Sequence, residues 1–441
     1  MGYNELEQIL EEYTEDKIVV PEHQRNQKGR GKRQKLPESL PREEVIIDLA
    51  DEDKICSEDG TQLKCIGEEV SERLDIIPAK IKVIREIRKK YACIKCDNSI
   101  KTASCLPTLF PKSIATPGLV SFIATSKYVD AIPLYRMESV LRRYGIEIPR
   151  NTMARWMINA AEKLETLMKI FEEELASSNY LHVDETTVQV LKEKDRAPSL
   201  KSYMWVVARE GPKPIVLFRY FPSRAGEIPY KLLEGFSGYL QCDGYSGYNK
   251  ISRNEGVLRV GCWSHCRRYF HKAYKHSKSK GIGDRGLSYI KKLFKIEEQI
   301  KNKNSEEKLI VRNEKSREII LKMKEWLDGQ VGKLPPKGYA GEAIHYALGE
   351  WENLARYLDD GKLSISNDYV ERAIRPFTIG RKNWMFADTP NGAHSSATFY
   401  SLVETAKANG NEPYEYLKMV LEKLPYADSM NDYLALLPFE I

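Results

Sequence analysis

Hydrophobic and polar residues alternate along four consecutive segments between residues 180 and 249. A period of two is typical of strands that bury one face, and enrichment in Val, Tyr, Phe and Leu supports the same interpretation. The sequence therefore predicts four strands, with a short helix between the third and the fourth. The predicted strands are YLHVDETTVQVL, SYMWVVARE, PIVLFRYF and YLQCDGYSGYN, and the predicted helix lies in SRAGEIPYKLLEGF.

A helical period precedes these strands, over residues 111–178. The first predicted helix there ends at Gly145, because glycine is a common helix terminator. The second is expected to begin with Asn151 or Thr152 as its N-cap, since both side chains can accept a backbone N–H at a helix start.

Further elements are predicted on both sides of this central region. The segment LRVGCWSHCRRYF predicts another strand or a buried segment, and residues 266–354 are Lys-rich and helical in pattern. Helices are also predicted in NDYVERAIRPF, SSATFYSLVETAKANG and EPYEYLKMVLEKL. Nearer the N-terminus, an imperfect alternation at Ile81, Val83, Ile84 and Ile87 predicts a small β-like module.

These patterns predict a multidomain α/β protein in which a helical insertion interrupts the domain that contains the strands. A chain of 441 residues is too long for one compact core, which agrees with several domains. The predicted regions are an N-terminal helix and basic arm (1–45), a small module (46–110), a helical region (111–178), the first part of the α/β domain (179–265), its insertion (266–354), its final helical part (355–410) and a helical tail (411–441).

The composition, with 42% hydrophobic and 30% charged residues, describes an ordinary globular protein. No apolar stretch approaches the roughly 18 residues that a membrane helix needs, and the N-terminus lacks the basic start and apolar run of a signal peptide. We therefore expect a cytoplasmic protein without a membrane partner. Eight cysteines over this length do not form a disulfide framework, and in a reducing compartment they indicate metal ligands or free thiols.

Two regions have charges suited to nucleic acid, although the net charge is only +6. The arm HQRNQKGRGKRQK, which includes Arg30, Lys32 and Arg33, contains six basic residues and no acid. Cations of this kind release counterions when they meet phosphates, but such an arm can also be a solvated linker without a partner. Arg150 and Arg155 lie near the start of the second predicted helix, which is compatible with helix-turn-helix DNA binding or with a helix pair that only packs.

Three acids have unusual settings. Asp184 lies inside a predicted strand between apolar residues, where an acid is normally excluded. Asp243 ends another strand, and Gly244 after it is expected to leave the sheet through a positive φ. Glu371 falls on a predicted helix, directly before Arg372. An acid at a strand centre, a second at a strand end and a third on a helix across the sheet could converge on one metal site.

Convergent carboxylates suit phosphoryl transfer. Two magnesium ions about 3.5–4 Å apart can hold the attacking and leaving oxygens of an in-line displacement, and Mg²⁺ prefers oxygen ligands. Each acid alone could equally be a surface or capping carboxylate. A glycosidase also uses two carboxylates, but the basic arm favours a polyanionic substrate.

Two other acids compete with these three. Glu185 directly follows Asp184, so in a strand its side chain points to the opposite face of the sheet. Glu404, on a later helical pattern, is the main alternative to Glu371 as the third acid, and Lys407 lies where it could neutralise Glu404.

Five segments resemble, in order, the insertion-sequence-66 family of bacterial transposases. They are LHVDETTVQVL, GYLQCDGYSGYN, GCWSHCRRYF, SNDYVERAIRPFTIGRKNW and YSLVETAKANGNEPYEYL, and the similarity extends over nearly the whole chain from about residue 23. The resemblance implies a ribonuclease-H-like catalytic domain with a mixed sheet, interrupted by an all-α insertion and preceded by a zinc-finger-like module and a helical DNA-binding region. It assigns Asp184, Asp243 and Glu371 as the catalytic, metal-binding acids.

The activity implied by the resemblance is that of a DNA transposase with two Mg²⁺ or Mn²⁺ ions as cofactors. Water attacks the phosphodiester at the element's end and frees a 3′-hydroxyl, which then attacks target DNA. Nearby cations and one aromatic are expected to bind phosphate and to stack on a base, unless they pair with surface acids or pack in the core. These residues are His265, Arg268, Arg372, Arg375, Arg381, Lys382 and Trp384.

Four residues of the N-terminal module have a spacing compatible with a zinc ribbon: Cys56, Asp59, Cys93 and Cys96. The resembling family has a zinc-finger-like module at this place. The first pair is incomplete, because Asp59 stands where a second cysteine would complete CxxC, and structural zinc sites mostly use Cys and His. Zinc binding and a metal-free module of the same fold therefore both stay open.

The expected partner is double-stranded DNA, both the terminal inverted repeats and the target. Pairing two DNA ends implies at least a homodimer in the working complex, and the resemblance implies accessory proteins of the same element and a place at the bacterial nucleoid. The family often begins with a longer coiled coil than residues 1–22, which predicts weak dimerisation here and indicates a shortened copy. The alternatives are a catalytically silent DNA-binding protein derived from such an element and a ribonuclease-H-like nuclease that does not join strands.

Overall fold

The computed structural model describes residues 36–38, 40–58, 60–75, 80–92, 100–277 and 281–441. The chain divides into two units, Met1–Ile87 and Arg88–Ile441, and the three predicted catalytic acids lie in the second. The predicted N-terminal helix lies outside the described residues. So do six predicted site residues, namely Arg30, Lys32, Arg33, Asp59, Cys93 and Cys96.

The first unit contains a tight turn at Cys56. It follows a 3₁₀ helix, Asp51–Lys54. The N–H of Cys56 donates to the carbonyl of Thr61 at 2.8 Å, and the N–H of Gly60 donates to the carbonyl of Cys56 at 3.0 Å. The turn holds the half-buried Cys56 thiol on a closed loop.

The predicted β-like alternation around Val83 is wrong. Residues 81–89 form no strand, and the side chains of Val83 and Ile84 are 94% and 60% exposed. Neighbouring residues of an extended chain point to opposite sides, so two adjacent apolar residues offer no single face to bury. Farther along the chain, Lys90–Ala92 (β1) pairs antiparallel with Ile100–Thr102 (β2).

Among the described residues, four helices precede the main sheet of the second unit, where the sequence predicts two. They are Pro117–Tyr128 (α1), Leu134–Arg143 (α2), Arg150–Lys163 (α3) and Glu165–Ala176 (α4). The first predicted helix is broken because Pro133 has no N–H to donate and restricts the residue before it, and Ala131 adopts a φ of 57°. The second is interrupted only at Leu164.

The start of α3 differs from the prediction of Asn151 or Thr152 as the N-cap. The helix begins at Arg150, after Pro149, and no side chain of the cap residue closes it. The carboxylate of Glu138, on α2, instead accepts the N–H of Arg150. A helix start needs acceptors for its first N–H groups, and here a neighbouring helix provides one.

A five-stranded mixed sheet follows. It confirms the first three predicted strands and the start of the fourth, whose residues 246–249 form a 3₁₀ helix instead. Its strands are Tyr180–Gln189 (β3), Lys201–Arg209 (β4), Ile215–Phe221 (β5), Gly238–Gln241 (β6) and Val257–Val260 (β7). Their order across the sheet is β5-β4-β3-β6-β7. Strands β3, β4 and β5 are antiparallel neighbours, whereas β6 runs parallel to both β3 and β7. Asp184 therefore lies in the central strand, opposite Val206.

Helices make up most of the rest of the second unit. They are Glu227–Leu232 (α5), Trp263–Ser277 (α6), Ile282–Ile300 (α7), Ser305–Val311 (α8), Arg317–Asp328 (α9), Tyr339–Gly349 (α10), Trp351–Ala355 (α11), Asp368–Trp384 (α12), Pro390–Ala408 (α13), Pro413–Lys423 (α14) and Met430–Leu434 (α15). A π-helical segment, Arg312–Ser316, joins α8 to α9. Helices α6 to α11 thus separate β7 from α12 in the chain. Among the described residues, none of the helices has both the length and the apolar content that crossing a bilayer requires.

Buried side chains form two clusters in this unit. The larger packs the sheet against helices such as α12 and α13, and it includes Trp205, Phe218 and Phe377. The smaller lies among α6, α7, α9 and α10, and it includes Trp263 and Phe270. Helix α12 therefore packs in the larger cluster and helix α6 in the smaller one.

Candidate active site

The start of α12 is tied to the central strand by Asn367. Its side-chain amide donates to the carbonyl of Val183 at 2.9 Å, and its Oδ1 lies 3.1 Å from Nδ1 of the buried His182. Its backbone N–H donates to Sγ of Cys262 at 3.2 Å. One helical turn later, the N–H of Glu371 donates to the carbonyl of Asn367. These bonds place Glu371 across the strand that carries the first acid.

The first turn of α6 is tied to the same part of α12. The N–H of Trp263 donates to the carbonyl of Ile365 at 3.0 Å, and the hydroxyl of Ser264 donates to the carboxylate of Asp368 at 3.2 Å. His265 belongs to this turn. Its position relative to Glu371 is therefore set by backbone and side-chain bonds on both sides.

Asp243 lies in a tight turn after β6. Its Oδ1 accepts the N–H of Tyr245 at 3.0 Å, and its carbonyl accepts a bond from the guanidinium of Arg259 on β7 at 2.9 Å. The expected positive φ of Gly244 is wrong. Glycine is needed there for space, because a Cβ would lie 2.7 Å from the ring of Tyr346 on α10.

Two of the predicted acids lie next to His265, and their charges act on the third, Asp184. Its Nε2 lies 3.9 Å from Oδ2 of Asp243, and its Nδ1 lies 3.6 Å from Oε1 of Glu371. Burial raises the pKa of Asp184 well above its usual value, and the negative charges of Glu185, Asp243 and Glu371 raise it further. The structure therefore brings Asp243 and Glu371 to His265, and the charges of both reach Asp184 in the central strand.

Arg268, one turn after His265 on α6, holds Glu371. Its Nη2 donates to Oε1 and Oε2 of Glu371, at 3.1 Å each, and its Nη1 lies 3.2 Å from Nε2 of His265. Burial raises the pKa of Glu371, and the charge of Arg268 opposes that rise. Glu371 thus has a cationic partner on the protein.

Asp184, unlike Glu371, has no cationic partner among the described residues. Its Oδ1 accepts the backbone N–H of Glu185 at 2.8 Å, but no Lys, Arg or His within the described parts of the chain forms an ion pair with it. Asp184 is half-buried, and a carboxylate withdrawn in this way with like charges around it suits a cation as its partner. Cys262, His265 and Glu371 also offer ligand atoms within 4.8 Å of one another.

Glu185 faces the other side of the sheet, as expected. Its carboxylate accepts bonds from Nε of Arg224 and from the hydroxyl of Tyr248, the latter at 2.5 Å. The guanidinium of Arg224 also stacks over the ring of Tyr245 at 3.7 Å. Glu185 therefore has a cation and a hydroxyl as partners within the fold, while burial and the negative charge of Asp243 raise its pKa.

Glu404 lies beside a different strand. It is on α13, which bonds to the edge strand β5 through Ser401, whose hydroxyl accepts the N–H of Phe218 at 2.8 Å. Lys407 donates to the buried Glu404 carboxylate at 2.9 Å. This geometry favours Glu371 over Glu404 as the third acid.

The predicted DNA contacts fall into two groups. Arg372, Arg375 and Lys382 are exposed on α12, and no ion pair involves them among the described residues, whereas Arg150 and Arg155 are exposed at the start of α3. In contrast, Arg381 donates to the hydroxyls of Thr186 and Thr187 on β3, each at 3.1 Å. The ring of Trp384 packs edge-on against Phe377, with Lys127 5.2 Å from its centre.

Sequence reasoning missed Asn367 and Arg259, which position two of the acids. Asn367 directly precedes a helix that begins with acidic residues, and asparagine is favoured at that position. Its place at the helix start could therefore have been recognised in the sequence. Arg259 is an almost buried cation inside β7, as conspicuous as Asp184 inside β3. Its bond to the turn at Asp243, by contrast, depends on the pairing of β6 with β7.

A family model described as "Transposase IS66 family" matches residues 112–395, which is more than half of the chain and includes the three acids. The chain belongs to the IS66 family of transposases. A second model, the zinc-finger binding domain of transposase IS66, matches residues 53–97, and a third, the IS66 C-terminal element, matches residues 401–439. The transposase thus has the three family segments in order.

Similar curated proteins come from Sinorhizobium fredii (strain NBRC 101917 / NGR234). The uncharacterized protein y4qI is 34% identical over 393 residues, which cover 86% of this chain and 72% of the relative. The uncharacterized protein y4jD is 31% identical over 401 residues, covering 88% of this chain and 78% of the relative. The similarity to both extends well beyond the segment with the acids.

Proposed function

We propose that this transposase cuts and joins DNA strands at the ends of its insertion sequence, with Asp184, Asp243 and Glu371 binding two Mg²⁺ or Mn²⁺ ions. The supporting observation is that Asp243 and Glu371 lie 3.9 and 3.6 Å from nitrogens of His265 and that, besides burial, their charges raise the pKa of Asp184, although the three acids come from distant parts of the chain. Each acid alone would be compatible with a structural role. Together they form an acidic site beside an exposed row of cations.

The side chains fit such ions. Carboxylate oxygens are the ligands that Mg²⁺ and Mn²⁺ prefer, and Asp184 is buried among like charges without a protein cation of its own in the described residues. When bound, such ions neutralise the charge that develops on a phosphate and lower the pKa of an attacking water. The protein supplies the positions of the carboxylates through Asn367 and Arg259.

Arg372, Arg375 and Lys382 would guide DNA to these acids. They recur at intervals of three and seven residues, so they share the exposed face of α12 that begins next to Glu371. Cations in such a row can follow the phosphates of one strand. The role proposed for Arg381 is to hold α12 on β3, whereas base stacking by Trp384 stays a prediction.

A ribonuclease-H-like catalytic domain is part of the proposal. Three features support it: a mixed sheet, an acid in the central strand with a second at the end of the adjacent parallel strand, and a helix that brings the third acid across that sheet. The helices between β7 and α12 would form the all-α insertion that the sequence predicts.

Other contacts are proposed outside the acidic site. Arg150 and Arg155, exposed at the start of α3, and the N-terminal arm would bind the terminal repeats. The zinc-finger binding domain would hold Zn²⁺. We further expect a homodimer or larger assembly on paired DNA ends, with accessory proteins of the element, at the nucleoid.

A strand-cleavage assay tests the proposed function. Purified full-length protein is incubated with duplexes that contain the inverted repeats flanking its coding sequence, a supercoiled target plasmid, and Mg²⁺ or Mn²⁺. We expect nicks at the repeat ends and joined products, both abolished by EDTA. Binding without cleavage would instead support a silent DNA-binding protein, and cleavage without joined products would support a plain nuclease.

A further inference from the structure

The cation-binding face of Glu371 is already occupied by Arg268. A single nitrogen, Nη2, lies 3.1 Å from both carboxylate oxygens, which is the position that a bidentate cation would take. The contact is largely shielded, because the side chain of Glu371 is 17% exposed and that of Arg268 is 27% exposed. An ion can therefore reach both oxygens only if the guanidinium moves.

Among the described residues, Arg268 forms an ion pair with no carboxylate other than Glu371. Asp243 and Arg268 both approach Nε2 of His265, with Oδ2 of Asp243 at 3.9 Å and Nη1 of Arg268 at 3.2 Å. The alternative partner with the right chemistry is a phosphate, which a guanidinium binds with two parallel hydrogen bonds. Since Arg268 is part-exposed beside the acids, a DNA strand brought there along α12 would present such a group.

We propose that Arg268 is a positioning residue that blocks Glu371 from binding a metal ion until a DNA phosphate draws the guanidinium away. Metal binding at Glu371 and DNA binding are then thermodynamically linked, so each strengthens the other. The device would keep the complete metal site from forming without a substrate strand. This inference rests on the proposed function, because it takes Glu371 to be a metal ligand.

Manganese binding without DNA gives the first test. Free Mn²⁺ is measured by electron paramagnetic resonance during titration of the full-length protein. Arg268→Gln should bind Mn²⁺ about 10-fold more tightly than the wild type, within the range usual for linked sites. The matched control is Arg372→Gln, which removes one positive charge next to Glu371 but breaks no ion pair seen in the described residues. Equal affinities of these two variants would overturn the inference.

Glu371→Gln gives a second test that does not require Arg268 to be changed. In the wild-type background without DNA, this substitution should alter Mn²⁺ affinity less than about 3-fold, because Arg268 already withholds the carboxylate. With a duplex that ends in an already cleaved terminal repeat, the same substitution should weaken Mn²⁺ binding about 10-fold. An equal effect with and without the duplex contradicts linkage.

Asp184→Asn separates the two possible failures. If it leaves Mn²⁺ affinity unchanged, the metal site of the proposed function is wrong. If it weakens Mn²⁺ binding while Arg268→Gln matches Arg372→Gln, the acids bind metal and only the role given to Arg268 is wrong.

Discussion

Asp184 and Glu185 are neighbours in the central strand, yet they have opposite surroundings. Both side chains are withdrawn from solvent, and burial raises the pKa of both. Glu185 has Arg224 and the hydroxyl of Tyr248 as partners, whereas Asp184 faces other carboxylates and a single backbone N–H.

The difference shows how the two faces of one strand can be used. A buried carboxylate with matched donors stabilises the fold, because its charge is compensated. A buried carboxylate among like charges costs stability unless a cation joins it. The carboxylate of Glu185 therefore has its partners within the protein, whereas the carboxylate of Asp184 is suited to bind an added ion.

The largest effect is expected from Asp184→Asn. Loss of one ligand charge should lower the rate of DNA cleavage by at least about 1,000-fold, since such ions contribute several kcal/mol of charge stabilisation. The rate is measured on duplexes with the terminal repeats at saturating Mg²⁺. Thermal unfolding should show no loss of stability, and cleavage near the wild-type rate would contradict the assignment.

Glu185→Ala should have the largest effect on stability. Arg224 and Tyr248 lose their acceptor, which should lower the free energy of unfolding by about 2 kcal/mol, as is usual for hydrogen bonds to a charged group. Urea unfolding of the wild type and of Glu185→Ala measures this loss of stability. Glu185→Gln, the matched control, keeps an oxygen acceptor and should lose less. If both variants were as stable as the wild type, the interpretation that Arg224 and Tyr248 compensate the buried charge of Glu185 would be wrong.

The stability of the wild type and that of Asp184→Asn should depend differently on pH. An acid whose pKa is raised by folding stabilises the protein while protonated, and this stability is lost as the pH rises from near 3.8 through the raised value. In EDTA, the melting temperature should therefore fall by about 5 °C more in the wild type than in Asp184→Asn between pH 5 and pH 8. Parallel curves would show that burial of this carboxyl costs nothing.

Glu404→Gln should have the smallest effect on activity. Its carboxylate is paired with Lys407 beside β5, so the cleavage rate should stay within about 2-fold of the wild type, while Glu371→Gln should lower it as Asp184→Asn does. Parallel cleavage assays measure both. The reverse result would make Glu404 the third acid.

Local patterns predicted much of the sheet. The period of two located β3, β4 and β5 to within two residues and the start of β6 to within one, and Asp184 stood out because an acid is unusual inside a strand. The end of β6 was predicted eight residues too late, because the chain turns after Gln241. The same reasoning failed around Val83, where the alternation is imperfect and the residues form no strand. It also joined α1 to α2 across Pro133, whose effect on a helix is local and was readable.

Other features could not be predicted because they depend on residues that are distant in the chain. The N-terminus of α3 receives an acceptor from Glu138, and Gly244 is needed because Tyr346 of α10 approaches it. Neither contact has a signature in the neighbouring sequence. Local rules instead suggested an Asn or Thr cap and a positive φ, which the packing made unnecessary.

By itself, the sequence indicated most strands and helices and singled out the three acids as candidates, because periodicity and local composition show which face of each strand or helix is apolar. Tertiary structure decided which side chains meet. It placed Glu371 with Asp184 and left Glu404 beside β5, it gave Glu185 a cation and Asp184 none in the described residues, and it set Arg268 against Glu371. These outcomes follow from how strands pair and helices cross, which bring together residues from distant parts of the chain.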